Sequence, residues 1–116
     1  MINKHIHNIA EEEIYDAYKL FFNTFSSIDR IKILNLLKKK SMNVTEITKE
    51  LKTGQTNVSH NLKKLKSCGF VNSKKEGKYR RYVINKKTIF PILKLIDNHM
   101  EKNCLMIIKN RRRRNG

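Results

Sequence analysis

Between Gly54 and Ile84 the chain changes the period on which its apolar residues recur, and that switch restricts the fold more than any other feature. Val58, Leu62 and Leu65 recur at helical spacing. At about 100° per residue they fall within an arc of about 60°, the buried stripe of a helix from Gln55 to about Ser67. Gly69 supplies the left-handed stop at its C-terminus. Phe70 to Lys75 and Tyr79 to Ile84 then read as two strands joined at Glu76-Gly77, with Tyr82 and Ile84 alternating against Arg81 and Val83. A glycine-stopped helix that runs straight into a tight hairpin leaves few topologies open.

The flanking segments narrow them further. Residues 9–25 carry Ile14, Ala17, Tyr18, Phe21 and Phe25 at helical spacing, with Glu11, Glu12 and Glu13 in the first turn, where they suit the helix dipole. A second helix is expected from Ile28 to Lys38, with Ser26 as N-cap and Asp29 in its first turn. Its apolar face is Ile31, Leu34 and Leu37, and the basic run 38–40 suits its C-terminus. Asn43 with Glu46 three residues on is a capping pattern that opens a short third helix, Val44 to Leu51, and Lys52-Thr53-Gly54 is the turn after it. A long helix is expected over 87–108, with Pro91 near its start.

The order helix-helix-helix-helix-strand-strand-helix is that of a winged helix-turn-helix, mainly α with a small β-hairpin. A chain of 116 residues suffices for one such domain. We take it as residues 1–108, followed by a basic tail, 109–116, that is expected to fray.

Charge points to the partner. Formal net charge is +16, and it is concentrated in one half. Residues 1–50 carry 8 Lys/Arg against 7 Asp/Glu, whereas residues 51–116 carry 18 against 3. AT-rich codon usage would supply Lys in place of Arg, but not the scarcity of acids after Glu50. A one-signed field of this kind favours a polyanion, nucleic acid before an anionic membrane surface.

On the fourth helix Gln55, Thr56, Ser59, His60 and Lys63 fall opposite the apolar stripe, within an arc of about 140°. These side-chain types can read base edges in a major groove, and no acid interrupts them between Gln55 and Lys66. In the hairpin, Lys74, Lys75, Lys78, Arg80 and Arg81 surround the turn, opposed only by Glu76. With Lys64, they are the candidate contacts to phosphate or minor groove. A solvated strand edge blunted by Lys would look similar.

These residues resemble the ArsR family of winged-helix repressors over roughly residues 20–100. Phe25-Ser26-Ser27-Ile28-Asp29-Arg30-Ile31-Lys32-Ile33-Leu34 is similar to the family's Leu-Ser-Asp-Pro-Thr-Arg-Leu-Arg-Ile-Leu. The resemblance continues through the segment Gln55 to Leu65, Cys68-Gly69-Phe70-Val71, and the wing Lys75 to Tyr82. Ile28 stands where Pro is usual, and Gly54 where Ser often caps the recognition helix. The resemblance implies a dimeric repressor joined through its first and last helices and bound to an inverted-repeat operator. The expected interface residues are Ile14, Tyr18, Phe21, Leu93, Ile96 and Met100, with Phe22 and Ile107 beside them. A surplus of apolar side chains on those two helices favours association independently.

Relatives often carry a sensor. The cysteine pair at the start of the third helix corresponds here to Asn43 and Thr45, so that site is absent. Asp97 and His99 match the first half of a second metal site, but its later positions are Asn110 and Arg113. His5-x-His7 would have to complete it, and half a site is not a tetrahedral zinc site. No cofactor is predicted. Cys104, in the last helix, is the candidate for a redox bridge across the twofold axis, and Cys68 reads as packed.

No Ser/His/Asp set, paired carboxylates, glycine-rich phosphate loop or metal quartet marks an enzyme. The first residues lack a signal-peptide apolar run, no 18-residue apolar stretch exists, and two unspaced cysteines fit a reducing compartment. A cytoplasmic location is expected, with double-stranded DNA as partner and no membrane. The competing class is a basic architectural or RNA-binding protein that binds by charge without sequence preference.

Overall fold

A computed structural model describes residues 9–115. The elements are α1 (Glu11–Phe25), α2 (Ile28–Lys39), β1 (Met42–Asn43), α3 (Val44–Leu51), α4 (Gln55–Ser67), β2 (Val71–Glu76), β3 (Tyr79–Ile84), α5 (Ile89–Lys102) and α6 (Cys104–Asn115). The helix-turn-helix is α3 and α4, and the wing is β2 and β3.

The hairpin belongs to a larger sheet than expected. β1 pairs antiparallel with β3, Met42 opposite Tyr82 and Asn43 opposite Arg81, giving a three-stranded sheet in the order β1-β3-β2. Two residues are too few to show alternation, so β1 is set by its partner strand. In the wing, Val71 faces Ile84 and Glu76 faces Tyr79, which leaves Gly77 and Lys78 as a two-residue loop. Gly77 alone takes positive φ (60°), the signature of a type II′ turn.

Local chemistry decides where each helix begins and ends. Ser26, expected to cap α2, closes α1 instead: its N–H donates to Phe22 O and its hydroxyl to Asn23 O. Ser27 is the N-cap, accepting from Arg30 N at 3.3 Å. The Asn43 and Glu46 capping box is complete in both directions, at 2.8 and 3.0 Å. Gly54 caps α4 by its backbone alone. At the other end Gly69 N donates to Lys66 O and Phe70 N to Leu65 O, a Schellman stop with Gly69 at φ 76°.

The core lies between α2, α3, α4 and the sheet. Val58, Leu62 and Leu65 are fully buried with Leu34, Leu37, Ile47, Phe70 and Ile84. On α2 Ile33 is buried beside Leu34 and Leu37, whereas Ile31, expected inside, is exposed. The rings of Phe21 and Phe25 reach across from α1 to Phe70, with centroids 5.2 and 4.9 Å away.

The expected long helix over 87–108 is two. Its start is delayed because the Asn85 carboxamide accepts from Lys87 N and Thr88 N, and Pro91 falls in the first turn of α5, where no intrahelical partner is lost. Asn103 then breaks it at φ −126°, ψ −75°, its side chain donating to His99 O at 2.8 Å. This is the local competition with the backbone ladder that makes Asn a poor helix interior residue. The tail, expected to fray, is helical: α6 extends through Asn115 and all its residues are exposed.

Candidate nucleic-acid interface

Gln55, Thr56, Ser59, His60, Lys63 and Lys64 are all exposed on α4, while the opposite side of the helix is sealed in the core. What fixes this helix is a polar network that sequence reasoning did not identify. Arg30 of α2 donates from Nε to Thr24 O (2.9 Å), from Nη2 to Asn23 O (3.1 Å) and from Nη1 to Asn61 Oδ1 (3.2 Å). Asn61, only 5% exposed, donates to Asn57 O, and Asn57 Nδ2 donates to Asp29 Oδ2 and Thr53 Oγ1 at 3.2 Å each. Half-buried Arg30 thereby has a partner at each guanidinium nitrogen, and α1, α2 and α4 are tied at one point. The signal was present: two Asn at i and i+4 beside an apolar stripe are poor helix formers that a solvated face does not need.

Lys74, Lys75, Lys78 and Arg80 are exposed on the wing. Arg81, expected among the DNA contacts, is not free. Its Nε donates to Glu76 Oε2 (2.7 Å) and its Nη1 to Ser41 O (3.1 Å), while Nη2 lies 3.4 Å from Glu46 Oε1. The hydrogen bond to Glu76 chiefly holds the guanidinium above its ordinary pKa. Arg81 thus ties the wing to β1 and to the start of α3. Lys66 Nζ, 2.8 Å from Ser73 Oγ, links the end of α4 to β2. Beside the wing a cleft of about 690 Å³ is lined by Lys74, Lys86 and Lys87 together with Arg81 and Asn72. Lys86 and Lys87 were missed because they follow the strand rather than lie in it.

Two of the expected interface residues lie in the protomer interior, Ile14 at 1% exposure and Leu93 at 4%. They are consumed by the protomer's own packing. Tyr18 is exposed, and Phe21, Ile96 and Met100 are half-buried. Asp97, the first metal candidate, is ion-paired to Lys38 Nζ at 2.7 Å, and His99 is exposed. Among the described residues no group of three or more His, Cys, Asp or Glu is placed to share a metal ion. His5 and His7 lie outside the described residues. Cys104 is exposed and Cys68 half-buried, 3.3 Å from Thr24 Oγ1, and both are free thiols.

A helix-turn-helix whose second helix presents an acid-free polar face beside a basic wing defines a DNA-binding transcriptional regulator of the winged helix-turn-helix class. Residues 28–73 match the model of the bacterial regulatory protein family arsR. An HTH-type transcriptional regulator of Methanocaldococcus jannaschii is 38% identical over 86 residues, 73% of this chain and 97% of that protein. The chain belongs to the arsR family, whose members are regulators rather than enzymes. Solved structures agree in fold. A homodimeric winged helix-turn-helix DNA-binding domain from Mycobacterium bovis superposes with TM-score 0.75 at 22% identity, over 89% of this chain and 93% of that one. A Mycobacterium tuberculosis protein gives TM-score 0.74 at 24% identity, over 84% and 95%. No helix among the described residues is long and apolar enough to cross a membrane.

Proposed function

We propose that this regulator is a homodimeric repressor acting in the cytoplasm on an inverted-repeat operator. α4 enters the major groove and reads bases through Gln55, Thr56, Ser59, His60 and Lys63. Lys64, Lys74, Lys75, Lys78 and Arg80 contact phosphates or the minor groove. The observation that carries this reading is the acid-free exposed face of α4, backed by a core stripe and by the Arg30–Asn61–Asn57–Asp29 network. A surface that binds by charge alone has no need of a rigid helix with neutral amide and hydroxyl groups at its tip. The reading requires no cofactor.

Selection of bound duplexes from a random DNA pool near physiological salt tests it. An inverted repeat with half-sites about one helical turn apart is the expected outcome. Binding without enrichment, with a steep salt slope, would reject sequence recognition in favour of an architectural or RNA-binding role.

A further inference from the structure

The wing sheet has two faces, and only one of them turns toward α4. Residues directly opposite each other across the register share a face, so Val71, Ser73 and Lys75 go with Ile84, Tyr82 and Arg80. Val71 and Ile84 are buried in the core, and Ser73 Oγ accepts from Lys66 Nζ of α4 at 2.8 Å. Asn72 and Lys74, opposite Val83 and Arg81, lie on the other face, where the sheet forms the floor of the cleft of about 690 Å³. β1 begins only at Met42, opposite Tyr82, which leaves Val83 without a strand on that side, and Ser41 lines the gap.

Three lysines line this cleft, Lys74 from β2 and Lys86 and Lys87 from the turn after β3. All are exposed, and among the described residues none of them has an ion-pair partner. The acid that lines the cleft, Glu76, is already held by Arg81 at 2.7 Å. The turn that carries Lys86 and Lys87 is pinned, because Asn85 Oδ1 accepts from Lys87 N and Thr88 N while its Nδ2 donates to Gly69 O. Lysines fixed on the side of the sheet away from α4 are not explained by groove reading.

We propose that this cleft binds a small molecule that carries a di- or triphosphate. The three ammonium groups are compact point charges of the kind that hold phosphate oxygens, and the Asn72 amide lies beside them as a further donor. Carboxylates are the poorer match. The guanidinium that lines the cleft, Arg81, is committed to Glu76, Glu46 and Ser41 O, so it offers no fork for bidentate pairing. Half-buried Val83 on the floor gives the organic remainder an apolar surface, and the volume falls within the roughly 300–1,000 Å³ usual for small-molecule sites. The site stands whether or not α4 reads an operator.

Isothermal titration of the full chain with inorganic tripolyphosphate, in the absence of DNA, tests it. The ionic strength is set at about 0.15 M, where the screening length is about 8 Å and a diffuse field counts little. Saturable binding at one site per chain is the expected result. Lys86→Gln with Lys87→Gln should weaken it at least about tenfold, through the loss of two charge-assisted contacts. Lys109→Gln with Arg112→Gln removes the same charge from α6 and should leave the affinity within about twofold. An equal loss in both variants is a response to net charge and overturns the site. Citrate binding as tightly as tripolyphosphate overturns the phosphate class. Absence of saturable binding overturns the proposal outright. If Lys86→Gln with Lys87→Gln then lowers the salt slope of duplex binding by about two phosphates' worth, these lysines serve the DNA backbone instead.

Discussion

Two kinds of basic and polar residue meet at the interface, and substitutions separate them. If Gln55 and Ser59 read bases as proposed, Gln55→Ala or Ser59→Ala should cost about 1–3 kcal/mol on the selected operator while leaving binding to scrambled duplex unchanged. Fluorescence anisotropy on the two duplexes checks this, and unchanged preference in both variants would reject the assignment of α4. Lys78→Ala or Arg80→Ala should weaken binding to every sequence and lower the salt slope by about one phosphate's worth. Arg81→Gln should leave that slope alone, because its guanidinium already neutralises Glu76 and Glu46. Its effect should be a small loss of stability, since the pairs are partly exposed. A raised guanidinium pKa contributes fully below the unfolded value and is lost only above it, outside any working pH, so substitution is the probe and titration is not. Asn61→Ala should cost roughly 1–3 kcal/mol in urea denaturation, because buried Asn61 would no longer bridge Arg30 Nη1 and the Asn57 carbonyl.

The helix-turn-helix elements end by unlike means, and the difference is measurable. α3 stops at Lys52, which adopts the left-handed conformation at φ 53° without being glycine. Lys52→Gly should therefore raise stability by roughly 1 kcal/mol. α4 stops on Gly69 at φ 76°, where a Cβ would meet no atom within 4 Å. Gly69→Ala should cost about 1 kcal/mol through the backbone alone, with no clash to add. Urea midpoints at unchanged m-value check both, and a shift of the same sign in the two variants would contradict the argument. Arg81 and Lys66 anchor the wing, one to the segment before β1 and the other to the end of α4. Its basic tip is thus presented in a defined direction, and its loop needs only one glycine to turn.

At the scale of the whole molecule the reading requires two α4 helices a fixed distance apart. Inserting five base pairs between the half-sites turns one of them to the far side of the duplex, and affinity should fall to that of a single half-site. Retained affinity in a gel-shift titration would exclude a rigid dimer. How much of this was legible in the chain depends on the range of the interaction involved. The four helices from Glu11 to Ser67, the capping box at Asn43, the stop at Gly69 and the hairpin were readable, because each rests on contacts within a few residues or on a period that repeats. So was the exposed polar face of α4, as the complement of Val58, Leu62 and Leu65. The tertiary structure alone decided the rest. β1 exists because β3 lies beside it. Leu93 is interior because the protomer's own core reaches it, and Ile14 is buried within the same protomer. Arg81 is an internal tie because Glu46 and Ser41, 35 and 40 positions away, fold against it. Local sequence determines which segments are helix or strand and which faces are apolar. Which charge is free to meet DNA and which is already paired is settled by neighbours that only the folded chain brings together, because an ion pair has no period and leaves no trace in spacing.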